Sequence, residues 1–318
     1  MRRLLTPIFF LVALVVTQGC ASAQANLRPE LEKTFEAYKS ALATKDAEKL
    51  KRSLASFRYV RMRNQAVSRR ETFPDSLFAE IERHGGFPID LKGLTYIRTV
   101  EKGDAAYMIY VGKESPDKDR PVVPTITNVL FVREAGQWKF AEAERSYLGE
   151  EDLKTPPAEL AKDVVPTFHE SAAVLDGKIP PVPPEYPVPD YIGSILIEAE
   201  NCKVTVKFNA ESDSLEQEQA AWPILGGLKR GKNPINIIVA APSRNTTIID
   251  GPVHARVDVW VYLDKDMPRA KTFPNDRVKV FSFETGSLGE VKKEFEVSDE
   301  ILKKGEPVES PRRTPEGG

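Results

Sequence analysis

Apolar residues recur at helical spacing early in the chain and at strand spacing through most of the remainder. Leu31, Phe35, Tyr38 and Leu42 share one face of a helix that opens near Leu27, with Pro29 in the permissive first turn. Thr44 or Asp46 can cap a second helix, which carries Ala47, Leu50 and Leu54 on one side. Thr72 and Asp75 form a T-x-x-D start before Leu77, Phe78 and Ile81, and Gly85-Gly86 stops that helix. Four strands follow: 93–100 and 105–111 around the turn 101–104, then 127–133 and 137–145 around the turn 134–136. Helices first and an antiparallel meander after predict an α+β domain over 27–150.

The pattern changes after 150. A short helical piece near 158–163 leads into Ile179-Pro180-Pro181-Val182-Pro183-Pro184-Glu185-Tyr186-Pro187-Val188-Pro189, which can be neither helix nor central strand because proline lacks the N–H and fixes φ. Residues 151–190 therefore read as a semi-stiff linker. Beyond it Cys202, Val204, Val206 and Phe208 alternate with Lys203, Thr205, Lys207 and Asn209, as a half-buried strand requires. Segments 195–199, 235–240, 257–263, 278–283 and 291–297 supply further strands with no helix between them, so 191–302 is expected to be an all-β sandwich. The proline-, glycine- and charge-rich tail 303–318 is expected to be disordered.

Both faces of the first domain's sheet are apolar in places, since Tyr107, Ile109 and Val111 alternate with Ala106, Met108 and Tyr110. The helices can cover one face. The other calls for the linker, the second domain or a homodimer mate.

Charge and cysteine usage narrow the function classes. With 45 basic and 47 acidic residues the formal net charge is -2, which gives no global pull toward nucleic acid. The chain's two cysteines, Cys20 and Cys202, and three histidines, His84, His169 and His254, show no ligand spacing, so no metal or other cofactor is expected. Arg2 and Arg3 precede an apolar run from Leu4 to Val16 that is too short to span a bilayer of about 30 Å but has the length of a signal-peptide core. Ala21-Ser22-Ala23 offers a cleavage site ending a signal peptide at 23. Thr17-Gln18-Gly19-Cys20 resembles a bacterial lipobox, with cleavage after 19 and lipidation of Cys20. The expected location is the cell envelope, as an outer-membrane or periplasm-facing lipoprotein held only by a lipid on Cys20; the alternative is a soluble periplasmic or secreted protein. A buried Cys202 would account for the cysteine left unpaired.

Several motifs bear on chemistry. Gly226 to Lys232 reads G-x-x-x-x-G-K, but Asn233 stands where a magnesium-binding hydroxyl belongs, and Pro234 and a strand follow where a helix must begin. Lys49, Lys51, Arg52, Arg58, Arg61, Arg63, Arg69 and Arg70 form a basic stretch that could meet anionic lipid or glycan phosphate, although a solvated face paired with nearby acids is the commoner outcome. Strict alternation in the last strand of the first domain puts Trp138, Phe140, Glu142 and Glu144 on one face. A carboxylate among aromatics is how a raised-pKa acid or base is made, so Glu142 is the candidate for catalysis, against the reading that it is solvated as the strand leaves the core. Trp138 and Phe140 would line the same pocket. In the second domain Trp260 and Tyr262 lie opposite Val257, Val259, Val261 and Leu263, and would form an aromatic platform or an interdomain contact.

Thr44-Lys45-Asp46-Ala47-Glu48-Lys49-Leu50 after an amphipathic helix, and Gly136-Gln137-Trp138-Lys139-Phe140 opening the last strand, make residues 30–147 resemble the nuclear-transport-factor and ketosteroid-isomerase superfamily. The resemblance implies a cone-like α+β fold with a pocket between curved sheet and helices, used for catalysis in some members and for binding or dimerisation in others. It assigns no catalytic residue here. The expected function is a non-enzymatic envelope protein that binds an envelope protein or glycan, or acts as an accessory through domain contacts. A small isomerase- or hydrolyase-type enzyme working in the cone pocket, and a structural interaction module, are the alternatives.

Overall fold

A computed structural model describes residues 16–87, 89–115, 121–149, 154–163, 176–243, 251–263 and 277–304, with the side chains of its first helix described from Leu27 onward. It is α+β, and its strands form three four-stranded antiparallel sheets. No helix among the described residues is long and apolar enough to cross a membrane. The chain divides into two compact units, Met1–Tyr59 with Leu77–Pro183 and Val60–Ser76 with Pro184–Gly318. The second unit thus takes in a stretch from the first half of the sequence.

In the first unit, α1 (Val16–Ala43) precedes α2 (Ala47–Ser53), whose N-cap Asp46 accepts from the Lys49 N–H at 2.9 Å. Because α1 already begins at Val16, Pro29 falls inside it rather than in its first turn. An unexpected helix, α3 (Ser56–Ser68), starts here, and α4 (Asp75–Arg83) ends at Gly85 and Gly86, whose φ angles of 76° and 122° suit glycine alone. Strands β1 (Thr95–Lys102), β2 (Ala105–Glu114), β3 (Val123–Glu134) and β4 (Gln137–Tyr147) pair in sequence order as a meander. The β3–β4 turn places Ala135 and Gly136 at φ 49° and 79°, the pair of positive angles that matches strand twist in a two-residue hairpin.

Directly opposed residues of an antiparallel pair share a face, so the register assigns each side chain to one side of the sheet. Phe131 opposes Phe140 on the side of α1, where Phe35, Tyr38 and Phe87 close around the Phe140 ring at centroid distances of 5.5, 4.2 and 6.2 Å. On the other side Ala105, Leu130, Val132 and Ala141 pack with Ala55, Phe57 and Ile179. Ile109, Val111 and Ile126 pack there with Leu148 and with α5 (Pro157–Asp163) through Ala158, Leu160 and Ala161. The unit therefore covers the second apolar face with its own chain, using α5 and Ile179 from the stretch expected to be a spacer.

The second unit holds two sheets, one ordered β11-β10-β5-β8 and one β12-β9-β6-β7. Their strands are β5 (Gly193–Glu200), β6 (Lys203–Phe208), β7 (Glu211–Glu216), β8 (Gln219–Pro223), β9 (Gly231–Ala240), β10 (His254–Tyr262), β11 (Arg277–Thr285) and β12 (Gly289–Val297), followed by α6 (Asp299–Lys304). One apolar core draws on both sheets, with Ile197, Val257, Val259 and Val261 from the first and Cys202, Val204, Val206 and Ile237 from the second. The Gly226–Lys232 segment runs into β9, a strand, where a phosphate loop would be followed by a helix.

The C-terminal part of α3 belongs to this unit and grips the proline run by its backbone. Asn64 is 1% exposed; its amide donates to the Pro184 carbonyl at 2.8 Å and accepts from the Tyr186 N–H at 3.0 Å. Arg63 donates to the Tyr186 carbonyl at 3.0 Å, and Arg70 donates to the carbonyls of Pro189 (3.1 Å) and Asp190. Ser68 accepts from the Gly226 N–H at 2.7 Å. The segment is extended, as proline dictates, but side chains hold it in place.

Candidate functional site

Strand β4 decides where the sequence-derived candidates end up. Phe131 pairs with Phe140 while the next residue back, Leu130, pairs with Glu142, so Ala141 is the extra residue of a β-bulge. One inserted residue reverses the phase of everything after it. Trp138 and Phe140 stay on the α1 side, whereas Glu142 and Glu144 share the other face with Leu130 and Asn128. The expected grouping of Glu142 with the two aromatics is therefore overturned. Glu142 Oε2 is shut off from solvent and has no hydrogen-bond partner among the described residues.

Phe140 is a core residue at the centre of the aromatic cluster. Tyr38 lies in the same cluster, and burial raises its hydroxyl pKa well above the tyrosine range. Toward the other end of α1, Tyr110 donates to Glu32 at 2.8 Å, and Glu32 also receives Arg28 at 2.8 Å. On the opposite face Glu134 accepts from the Ser56 N–H and hydroxyl at 2.8 and 2.6 Å and from Lys139 at 3.0 Å. Burial pushes the Glu134 carboxyl up, but those bonds outweigh it and leave its pKa below the usual value. It sits at the N-terminus of α3, where a negative charge is favoured.

Trp138 lines a groove of about 600 Å³ between α1, α2 and the β3–β4 turn. From α1 come Glu30, Lys33, Thr34, Ala37 and Ser40; from α2, Lys49, Arg52 and Ser53; from the turn, Gly136 and Gln137. The groove exists because small side chains meet there: Ala37 and Ser40 on α1, Ser53 on α2, and Gly136, whose missing Cβ would face open space. Its lining carries three cations, Lys33, Lys49 and Arg52, against one carboxylate, Glu30. Lys49 pairs with Asp46 at 3.4 Å, while Lys33 and Arg52 make no hydrogen bond or ion pair among the described residues. Trp138 is mostly buried, with Arg133 at 5.0 Å over its ring. Lys49 and Arg52 belong to the basic stretch visible in the sequence; Lys33, one helix earlier, was not singled out there.

In the second unit Trp260 and Tyr262 do point away from the core valines, but they are 4% and 5% exposed, so they offer no open aromatic platform. Arg277 and Lys279 of β11 lie 4.3 and 5.0 Å from the Trp260 ring centre. On the same face Asp258 is fully buried, accepting from Ser282 at 2.6 Å, Arg256 at 2.8 Å and Lys279 at 3.0 Å. Burial alone would raise the Asp258 pKa; these three partners hold it below the ordinary value. No sequence pattern marked it, because a lone Asp in an apolar strand reads as an outward position.

Cys202 is buried, donates to the His254 carbonyl at 3.4 Å, and has its thiol pKa raised by burial, the profile of an inert packing residue. Cys20 falls in the first turns of α1, before the point at which side chains are described, and the signal-like stretch up to Val15 lies outside the described residues. The tail beyond Lys304 is likewise outside them. No family model, curated protein or solved structure matches the chain.

Proposed function

We propose that this chain is a non-enzymatic, exported binding protein whose ligand site is the groove between α1, α2 and the β3–β4 turn. The observation that carries the reading is the lining itself: Lys33 and Arg52, neither in a hydrogen bond or salt bridge among the described residues, share with Trp138 an opening of about 600 Å³, a size suited to a small ligand. The α1 side of the sheet, where a cone pocket would house catalysis, is filled around Phe140 by Phe35, Tyr38, Phe87 and Phe131. In this reading the first unit is a cone-like domain of the nuclear-transport-factor kind with its interior given over to packing, and the second is a β-sandwich. Export rests on the N-terminal sequence, with Cys20 as the lipid acceptor.

The test follows the indole N–H resonance of Trp138, assigned by its loss in Trp138→Phe, in the mature chain. Anionic, neutral and cationic small solutes are added in turn. A saturable shift of Trp138, with Trp222 and Trp260 stationary, supports the groove; stationary Trp138 with every solute refutes it. Intact mass of the membrane fraction tests the anchor, since an unmodified chain beginning at Gln24 rules out lipidation while leaving export in place.

One observation favours the enzyme reading, the secluded and unpartnered Glu142 Oε2. Ready access of a soluble paramagnetic agent to the Glu142 carboxyl, read by NMR, removes that support.

A further inference from the structure

Resting on the groove as the binding site, we infer that its ligand is a phosphate monoester, with the phosphate between Lys33, Lys49 and Arg52 and its organic part over Ala37 and Trp138. Charge comes first. Three cations and one carboxylate line the groove, an excess of two, and Asp46 outside the lining offsets part of it through Lys49 and Arg52. A phosphate monoester carries about 1.5 to 2 negative charges at neutral pH, enough to balance that excess in a single group.

Geometry points the same way. The donors come from separate elements, Lys33 from α1 and Lys49 and Arg52 from α2, with Gln137 of the β3–β4 turn beside them. A phosphate offers three terminal oxygens to donors drawn from several elements, and the Arg52 fork can meet two of them. Lys49 is 52% exposed and only loosely held by Asp46 at 3.4 Å, so it can turn to a ligand at small cost. The remaining volume is too large for phosphate alone. The small residues Ala37, Ser40, Ser53 and Gly136 in the lining, with Trp138, leave room for a sugar-sized body.

The experiment uses three solutes of matched size, glucose 6-phosphate, glucuronate and glucose, titrated into the mature chain while the Trp138 indole resonance is followed. The expected result is saturable binding of glucose 6-phosphate at least tenfold tighter than of glucuronate, with glucose inert. Lys33→Ala and Arg52→Ala should each weaken it five- to tenfold, and Lys51→Ala, exposed on α2 but outside the lining, by less than twofold. Affinity for the phosphate should fall as pH drops from 7 to 5, because its second ionisation lies near pH 6, while the glucuronate response should not follow that curve. Vesicles containing phosphatidic acid separate a lipid source from a soluble one, and binding of either supports the chemistry. Equal binding of glucuronate, or an equal effect of Lys51→Ala and Arg52→Ala, overturns the phosphate assignment but leaves the groove standing if Trp138 still shifts. If Trp138 stays still with every solute, both the assignment and the groove fall.

Discussion

Removing the Asn64 side chain should loosen the proline segment without unfolding either sheet of its unit. Asn64→Ala deletes a donor to the Pro184 carbonyl and an acceptor for the Tyr186 N–H, at 2.8 and 3.0 Å, in a site where Asn64 is 1% exposed. A buried polar group left without a partner costs about 1–3 kcal/mol, and two are created. Neighbouring Glu185 is well exposed, so water can reach part of the segment, which sets the expectation at about 2–4 kcal/mol. That loss should fall on local opening. Tyr186 amide exchange should then quicken by about 30- to 700-fold, at 1.4 kcal/mol per factor of ten, while amides in β6 and β10 keep their protection. Asn64→Asp keeps the acceptor and loses the donor, so Tyr186 should stay largely protected while the segment weakens by about 1–2 kcal/mol. Hydrogen exchange read by NMR on the full mature chain distinguishes the cases. Equal Tyr186 exchange in wild type and Asn64→Ala would show that packing, not the amide, holds the segment.

Asp258 should make stability acid-sensitive: its folded pKa lies below the ordinary value, so its contribution is full above about pH 4–5 and is lost as pH falls through that lower value. Urea midpoints from pH 5 to 2 should therefore fall more steeply in wild type than in Asp258→Asn, and parallel curves would refute the network. Glu134→Gln should cost about 1–2 kcal/mol in thermal unfolding through loss of the charged cap on Ser56, and an unchanged Tm would contradict that role. Gly227→Ala should destabilise by about 1–3 kcal/mol, because φ is 56° and a Cβ would strike the Pro189 ring; wild-type stability would mean the loop relaxes freely. Native Cys202 should react with a thiol reagent orders of magnitude more slowly than in denaturant, and fast native labelling would place its strand in the wrong register.

Most strands and the turns at 101–104 and 134–136 were legible, because alternation and turn chemistry are local signals. What escaped was set by tertiary context. Helix α3 was missed because arginines interrupt its apolar positions and because Asn64 turns inward to bond a backbone 120 residues away. Strands β7 and β8 lie at sheet edges, and β7 carries Glu211, Ser212, Asp213 and Ser214, which give no alternation to read. The bulge at Ala141 is silent in the sequence, since Trp138, Phe140 and Glu142 alternate cleanly whether or not a residue is left unpaired. That one residue moved the catalytic candidate across the sheet. The groove was half visible: Lys49 and Arg52 stood in the basic stretch, but only folding brought Lys33 and Trp138 beside them.

The proline run has a consequence for how such a strand-rich chain avoids stray strand pairing. Six of the eleven residues from Ile179 to Pro189 are prolines and can donate no backbone hydrogen bond. An extended segment with full donors would be a ready template for a stray edge, from a neighbouring molecule or from strands not yet paired as the chain emerges. This one can be extended without being copied. Because Asn64, Arg63 and Arg70 engage its few remaining groups through side chains, it is fixed in place without ever taking part in a ladder. A replacement of these prolines by β-formers would keep the length and the contacts, and would turn an insulating stretch into a nucleus for aggregation.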